Sequence, residues 1–298
     1  MSDRATTARD SGAIPLPRLE RALLEPRAIR DLLFTLATWV AAIIVSIPLF
    51  SVLYMVVVRG GARLSAEALT ALPPAGFELG GGFGNAIVGT LAMVGIGMLI
   101  SVPIGILAAV YLAERAPRSR LANSARFLAN TLTGMPSILA GVFVYASLVV
   151  LTGNYSAYAG GIALAVLMLP TVILTVEESI KMVPQIMKDA AYGMGCTPTQ
   201  VIWKVVLPTG LPGILTGVML AVARGAGESA PLLFTALFSN YYLTGLNEPT
   251  ASLSILIYNF SSMPFDNQIE LAWTASLVLV LIVLVFNIIS RLFGQPKA

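Results

Sequence analysis

Histidine is absent from the 298 residues, and cysteine occurs once, at Cys196. Without an imidazole and with a single thiol there is no Ser/His or Cys/His catalytic pair, no histidine metal site and no intrachain disulfide. Charge is scarce as well. Asp, Glu, Lys and Arg together make 11% of the chain, whereas a soluble globule carries about a quarter. The pair Gly-Lys occurs nowhere, which removes the Gly-x-x-x-x-Gly-Lys phosphate loop, so any ATP that drives this protein is bound by another chain. The net charge of +3 is too small to imply a nucleic-acid partner.

Apolar residues are abundant: the hydrophobic class reaches 57% and the mean hydropathy is +0.84. They fall into runs long enough to cross about 30 Å of hydrocarbon. Leu32–Val58, Ala86–Ala113, Phe127–Thr152, Tyr158–Val176 and Leu271–Ser290 carry no charge, and Gly210–Ser239 carries only Arg224 and Glu228. Six crossings predict an all-α, polytopic membrane protein. Gly225, Gly227 and Pro231 weaken the hydrogen-bond ladder of the fifth run, which reads as one broken helix. The apolar stretch Ser252–Phe260 is too short to span and reads as an interfacial or re-entrant segment.

Lys and Arg concentrate on the cytoplasmic side of membrane proteins. With six crossings, fifteen of the eighteen fall on one side, two on the other, and Arg224 remains within the membrane. Both termini are therefore expected in the cytoplasm. Residues 1–31 read as a retained basic tail rather than a signal peptide, and residues 32–298 as one membrane domain.

The connection between the fourth and fifth crossings, residues 178–208, is long for a helix–helix link. Ile180, Val183, Ile186 and Met187 recur at helical spacing, and Val201, Ile202, Val205 and Val206 do so again. Two short amphipathic helices, punctuated by Gly193, Gly195 and Pro198, are predicted. At their junction stands Asp189-Ala190-Ala191, followed after three residues by Gly195, and after nine more by Val205-Val206-Leu207-Pro208. An ordinary helical hairpin would also accommodate the bare triplet. The full spacing resembles the EAA loop of ABC-importer permeases, with aspartate in place of the usual glutamate. That resemblance implies the type I ABC-importer permease fold and assigns Asp189, Ala190, Ala191, Gly195 and Pro208 to coupling with an ATPase subunit.

Arg224 and Glu228 stand four residues apart, on one helix face. Intramembrane charges face a pathway or a partner because lipid does not solvate them. By residue chemistry alone two roles stay open. The pair is a structural ion pair, or Arg224 offers its fork of donors to a passing oxyanion while Glu228 orients it. The surrounding string Ala223–Ala236 closely resembles the signature of phosphate-importer permeases of the PstA type, with Ser229 where threonine is usual. Asn85–Leu91 and Gly134–Gly141 agree with the same family, although Met135-Pro136-Ser137 is equally a proline kink.

The resemblance implies a substrate pathway through Arg224, Glu228 and Ser229, with no cofactor and no catalysis in this chain. It implies a second permease subunit of the PstC type, a dimer of ATPase subunits of the PstB type and an external phosphate-binding protein of the PstS type. Inorganic phosphate and the lipid bilayer complete the expected partners. A permease for sulfate or molybdate, an ATPase-independent channel or carrier, and least of all a membrane enzyme are the competing readings.

Overall fold

The computed structural model describes residues 26–293, which contain helices and connections and no strand. Two compact units divide at Leu53. The first holds the leading part of α1 (Pro26–Ala62), whose apolar stretch Ile29–Ala62 is long enough to cross a bilayer. Most of the predicted basic tail lies outside the described residues, as do residues 294–298.

The second unit begins with the last turns of α1. There follow α2 (Ala66–Thr70), α3 (Gly84–Arg115), α4 (Arg120–Thr133), α5 (Ser137–Thr152) and α6 (Ala157–Lys181). After these come α7 (Gln185–Gly193), α8 (Pro198–Gly227), α9 (Ala230–Thr235), α10 (Leu253–Ser261) and α11 (Asp266–Phe293). Hydroxyl caps start several of them: Ser119 accepts from the Ala122 amide, Ser156 from Ala159 and Ser252 from Ile255, each satisfying a donor that the first helical turn leaves open.

Glycine decides how the spanning helices meet. α3 and α6 run parallel, with Gly97 against Leu164 and Met168, and Gly105 against Val172. A Cβ on Gly105 would stand 2.5 Å from Val172 Cγ1, so the two helices approach closer than ordinary side chains permit. α8 runs antiparallel to α6, with Gly213 on Ser179, Gly217 on Thr175 and Gly225 on Met168. α6 thus packs on both neighbours, and Met168, Val172, Val176 and Ile180 on it are fully buried.

Two expectations meet a different outcome in detail, and a third is narrowed to one of its alternatives. The run Phe127–Thr152 is not one straight crossing: α4 and α5 meet at 105° across Gly134–Pro136. Pro136 takes φ −54° and ψ 129° as it caps α5, ending one helix and starting the next in another direction. The second amphipathic helix of the long loop is continuous with α8. A π turn at Ile202–Val206 precedes Pro208 and gives room for a proline that a regular turn rejects. The segment Ser252–Phe260 forms α10, with Leu253, Ile255 and Leu256 fully buried and the Leu253 amide donating to Thr90 Oγ1 at 2.8 Å. It is a short helix wedged inside the protein, which fits the re-entrant alternative and not the interfacial one.

Candidate functional site

Two places carry the residues singled out by sequence, and α6 connects them. Arg224 lies on α8 beside Gly225, which faces Met168, near the middle of the 25-residue α6. Asp189 lies on α7, beyond the Lys181 end of α6. Some thirteen residues of helix separate the two levels, about 20 Å.

α8 stops at Gly227. Glu228 takes φ −77° and ψ 124°, outside the helical region, and Ser229 precedes α9, whose second residue is Pro231. The break is held from both sides: Ser254 Oγ donates to the Glu228 carbonyl at 3.0 Å, and Gly141 of α5 closes on the backbone of Pro231. Arg224 Nε lies 3.8 Å from Glu228 Oε1, with 38% and 19% of the two side chains exposed. That distance keeps Coulomb attraction but is too long for a hydrogen bond. Among the described residues, the Arg224 guanidinium, the Glu228 carboxylate and the Ser229 hydroxyl make no side-chain hydrogen bond.

Arg126 is the opposite case. Its Nε donates to Glu177 Oε1 at 2.7 Å, Nη2 to the Leu112 carbonyl at 2.7 Å and Nη1 to the Pro117 carbonyl at 2.8 Å. Lys181 adds a second cation 2.9 Å from the same carboxylate oxygen, and the Glu177 side chain is 2% exposed. This buried cluster ties α3, α4 and α6 together with its donors spent. Among the described residues, Arg224 makes no such bonds, so its donors stay available where those of Arg126 are taken.

α7 has two faces. Lys188 and Ala191 turn inward and are buried, while Gln185, Asp189, Ala190 and Gly193 turn outward. Asp189 Oδ1 accepts from Gln185 Nε2 at 2.9 Å within the helix. Gly195 takes φ +83°, the left-handed conformation that favours glycine, and turns the chain into the Thr197 capping box of α8. Pro208 stands exposed on α8 just after the π turn. Ile186, Tyr192, Met194 and Trp203 form exposed apolar surface around the turn, the composition of a protein-docking patch. Each predicted residue therefore falls at one of two sites: Arg224, Glu228 and Ser229 at the break in α8, and Asp189, Ala190, Ala191, Gly195 and Pro208 around α7.

Residue patterns alone did not single out Lys188, Glu114, Arg126, Glu177 or Asn85. Lys188 Nζ lies 2.5 Å from Glu114 Oε1. Asn85 is 2% exposed and donates to the Ser239 carbonyl at 2.7 Å. The one available signal was that Lys188 falls three residues before Ala191, on the same helical face.

The profile described as "Binding-protein-dependent transport system inner membrane component" matches residues 101–295. The phosphate transport system permease protein PstA of Haemophilus influenzae is 42% identical over 246 residues, covering 83% of this chain and 87% of that one. The corresponding protein of Pasteurella multocida is 40% identical over 247 residues, with 83% and 88% covered. In fold the chain is similar to a bacterial alginate ABC transporter solved with an alginate pentasaccharide-bound periplasmic protein. The TM-score is 0.62 at 16% identity, over 93% of this chain and all of that one. The chain is a multi-pass membrane protein and belongs to the family of binding-protein-dependent transport system inner membrane components.

Proposed function

We propose that this chain is the permease subunit of an ATP-driven phosphate importer, supplying half of the pore and taking its driving force from a separate ATPase. The observation that carries the reading is Arg224: a half-exposed guanidinium, uncommitted in hydrogen bonding, near mid-height of the crossing helices. A planar fork of five donors matches the oxygens of phosphate. Glu228 at 3.8 Å holds that fork by charge without occupying its edges. The carboxylate also offsets the cation, so an arriving anion is attracted yet not trapped. Ser229 adds a free hydroxyl beside the pair. The relatives named as phosphate permeases support the choice of solute.

In this reading α7 docks on the ATPase, with Asp189 and Ala190 outward, Ala191 on the inward face letting α7 lie close on the membrane domain, Gly195 making the bend and Pro208 fixing the return into the membrane. α7 and both termini then lie in the cytoplasm of an inner-membrane protein, in agreement with the bias of Lys and Arg. A second permease of the PstC type completes the pore, two ATPase subunits of the PstB type close beneath it, and a PstS-type protein delivers phosphate from outside. No catalytic residue and no cofactor is assigned to this chain.

The test is uptake of labelled phosphate in cells lacking this gene, before and after its return. Restored uptake that excess unlabelled sulfate and molybdate do not compete away supports the reading. Uptake unchanged by loss of the gene, or abolished by sulfate, contradicts it.

A further inference from the structure

We infer that Lys188 and Glu114 form a latch through which movement of α7 is delivered to α3, an inference that rests on α7 being the ATPase-docking helix. The two side chains lie 74 positions apart, Nζ to Oε1 at 2.5 Å, and only 9% and 12% of them is exposed. A buried lysine is costly unless a carboxylate meets it, so the pair separates only against a large desolvation penalty. Ala191, 2% exposed, lies one turn on and leaves no bulk to cushion α7 from what it rests on. The outward face of α7 receives the partner; the inward face holds by one directional bond.

The receiving end is rigid. Glu114 sits in the π turn that closes α3. Two residues earlier the Leu112 carbonyl is gripped by Arg126, whose guanidinium is itself held by buried Glu177 of α6. From there the route is close-packed: α3 meets α6 at Gly97 and Gly105, and α6 meets α8 at Gly213, Gly217 and Gly225, next to Arg224. Glycine-mediated contact leaves little space between helices to absorb a displacement, with Met168 filling the gaps at Gly97 and Gly225. A push on α7 thus reaches the helix that carries the anion-facing charge. Among the described residues, the Asp189 side chain, directed outward, bonds only to Gln185 and has no such connection. Lys188 and Glu114 are positioning residues, acting on transport through α3.

The experiment uses the complete transporter, purified with its ATPase and reconstituted in vesicles, with phosphate-loaded binding protein outside. Variants are Lys188→Met, Glu114→Gln, and the charge exchange Lys188→Glu with Glu114→Lys. Each single variant is expected to keep the ATPase through purification, because the outward face of α7 is intact. Its phosphate uptake should fall about tenfold or more, the size of a broken coupling of this kind, and its ATP hydrolysis should lose stimulation by the loaded binding protein. The exchange should restore a substantial part of both. The latch is overturned if either single variant transports at full rate, if ATPase binding is lost along with uptake, or if the exchange is no better than the single variants. Failure of the unaltered complex to import phosphate overturns the importer reading instead, so the two failures are distinct.

Discussion

Gly213 of α8 lies so close to Ser179 of α6 that a Cβ on the glycine would stand 2.7 Å from the serine Oγ and 2.8 Å from its Cβ. Both atoms belong to a short side chain on a buried helix, which has little room to give. Gly213→Ala should therefore destabilise the protein by overpacking, by about 1–3 kcal/mol. Ser179→Gly in the same chain should recover part of the loss. Thermal unfolding in detergent measures this, with a midpoint lowered by about 2–10 °C in the single variant. An unchanged midpoint would mean that α6 and α8 do not meet at this point.

Arg126 and Lys181 both reach Glu177, but they are not equivalent. Arg126 is largely buried and makes three short bonds, while Lys181 is 44% exposed. Removing one member of a buried pair leaves an uncompensated charge and costs about 3–5 kcal/mol, whereas exposed pairs contribute about 0–1 kcal/mol. Arg126→Met should lower stability far more than Lys181→Met, with Lys181 offsetting part of the charge left on Glu177. Equal effects would contradict the geometry.

Gly193 and Gly195 are neighbours with different demands. A Cβ at either meets nothing within 4 Å, but only Gly195 has a positive φ, +83°. Gly193→Ala adds only a methyl to the outward face of α7 and should lower phosphate uptake and retention of the ATPase far less than a β-branched residue at position 195. Gly195→Val should impair both, and Gly195→Asn should be milder, since asparagine tolerates the left-handed region. Co-purification and uptake distinguish the three. Equal tolerance of valine would remove the conformational role of Gly195.

Met194 is strongly exposed at the tip of the α7–α8 turn. In a Cys196→Ser background, Met194→Cys should react with a membrane-impermeant thiol reagent only when the cytoplasmic face is accessible, as in inside-out vesicles. Labelling in intact cells would reverse the assigned orientation, and with it the docking of an ATPase.

The crossings were legible because lipid demands long uncharged runs, and α1, α3, α6, α8 and α11 coincide with five of them. The break after Gly227 was legible too, since Gly225, Gly227 and Pro231 all weaken a helix at one place. The 105° angle between α4 and α5 was not. Pro136 announces a bend, but its size depends on what receives each arm, here Glu177 for Arg126 of α4 and Pro231 for Gly141 of α5. The continuity of α8 through Pro208 was not legible either: the preceding π turn lets the helix run past a proline that a regular turn rejects. Of the polar groups, Arg224 and Glu228 were legible because they interrupt an apolar run. Lys188 and Glu114 were hidden among ordinary loop charges, because pairing across 74 positions leaves no local pattern.

The most direct measurement is the rate of labelled phosphate uptake by transporters carrying Arg224→Ala or Arg224→Lys, each first checked for full assembly with the ATPase. The alanine variant should assemble and fail to transport. The lysine variant, which keeps the charge and loses the planar fork, should transport slowly. Normal uptake by the assembled alanine variant would mean that phosphate crosses without this guanidinium, and the pathway proposed through the break in α8 would be wrong.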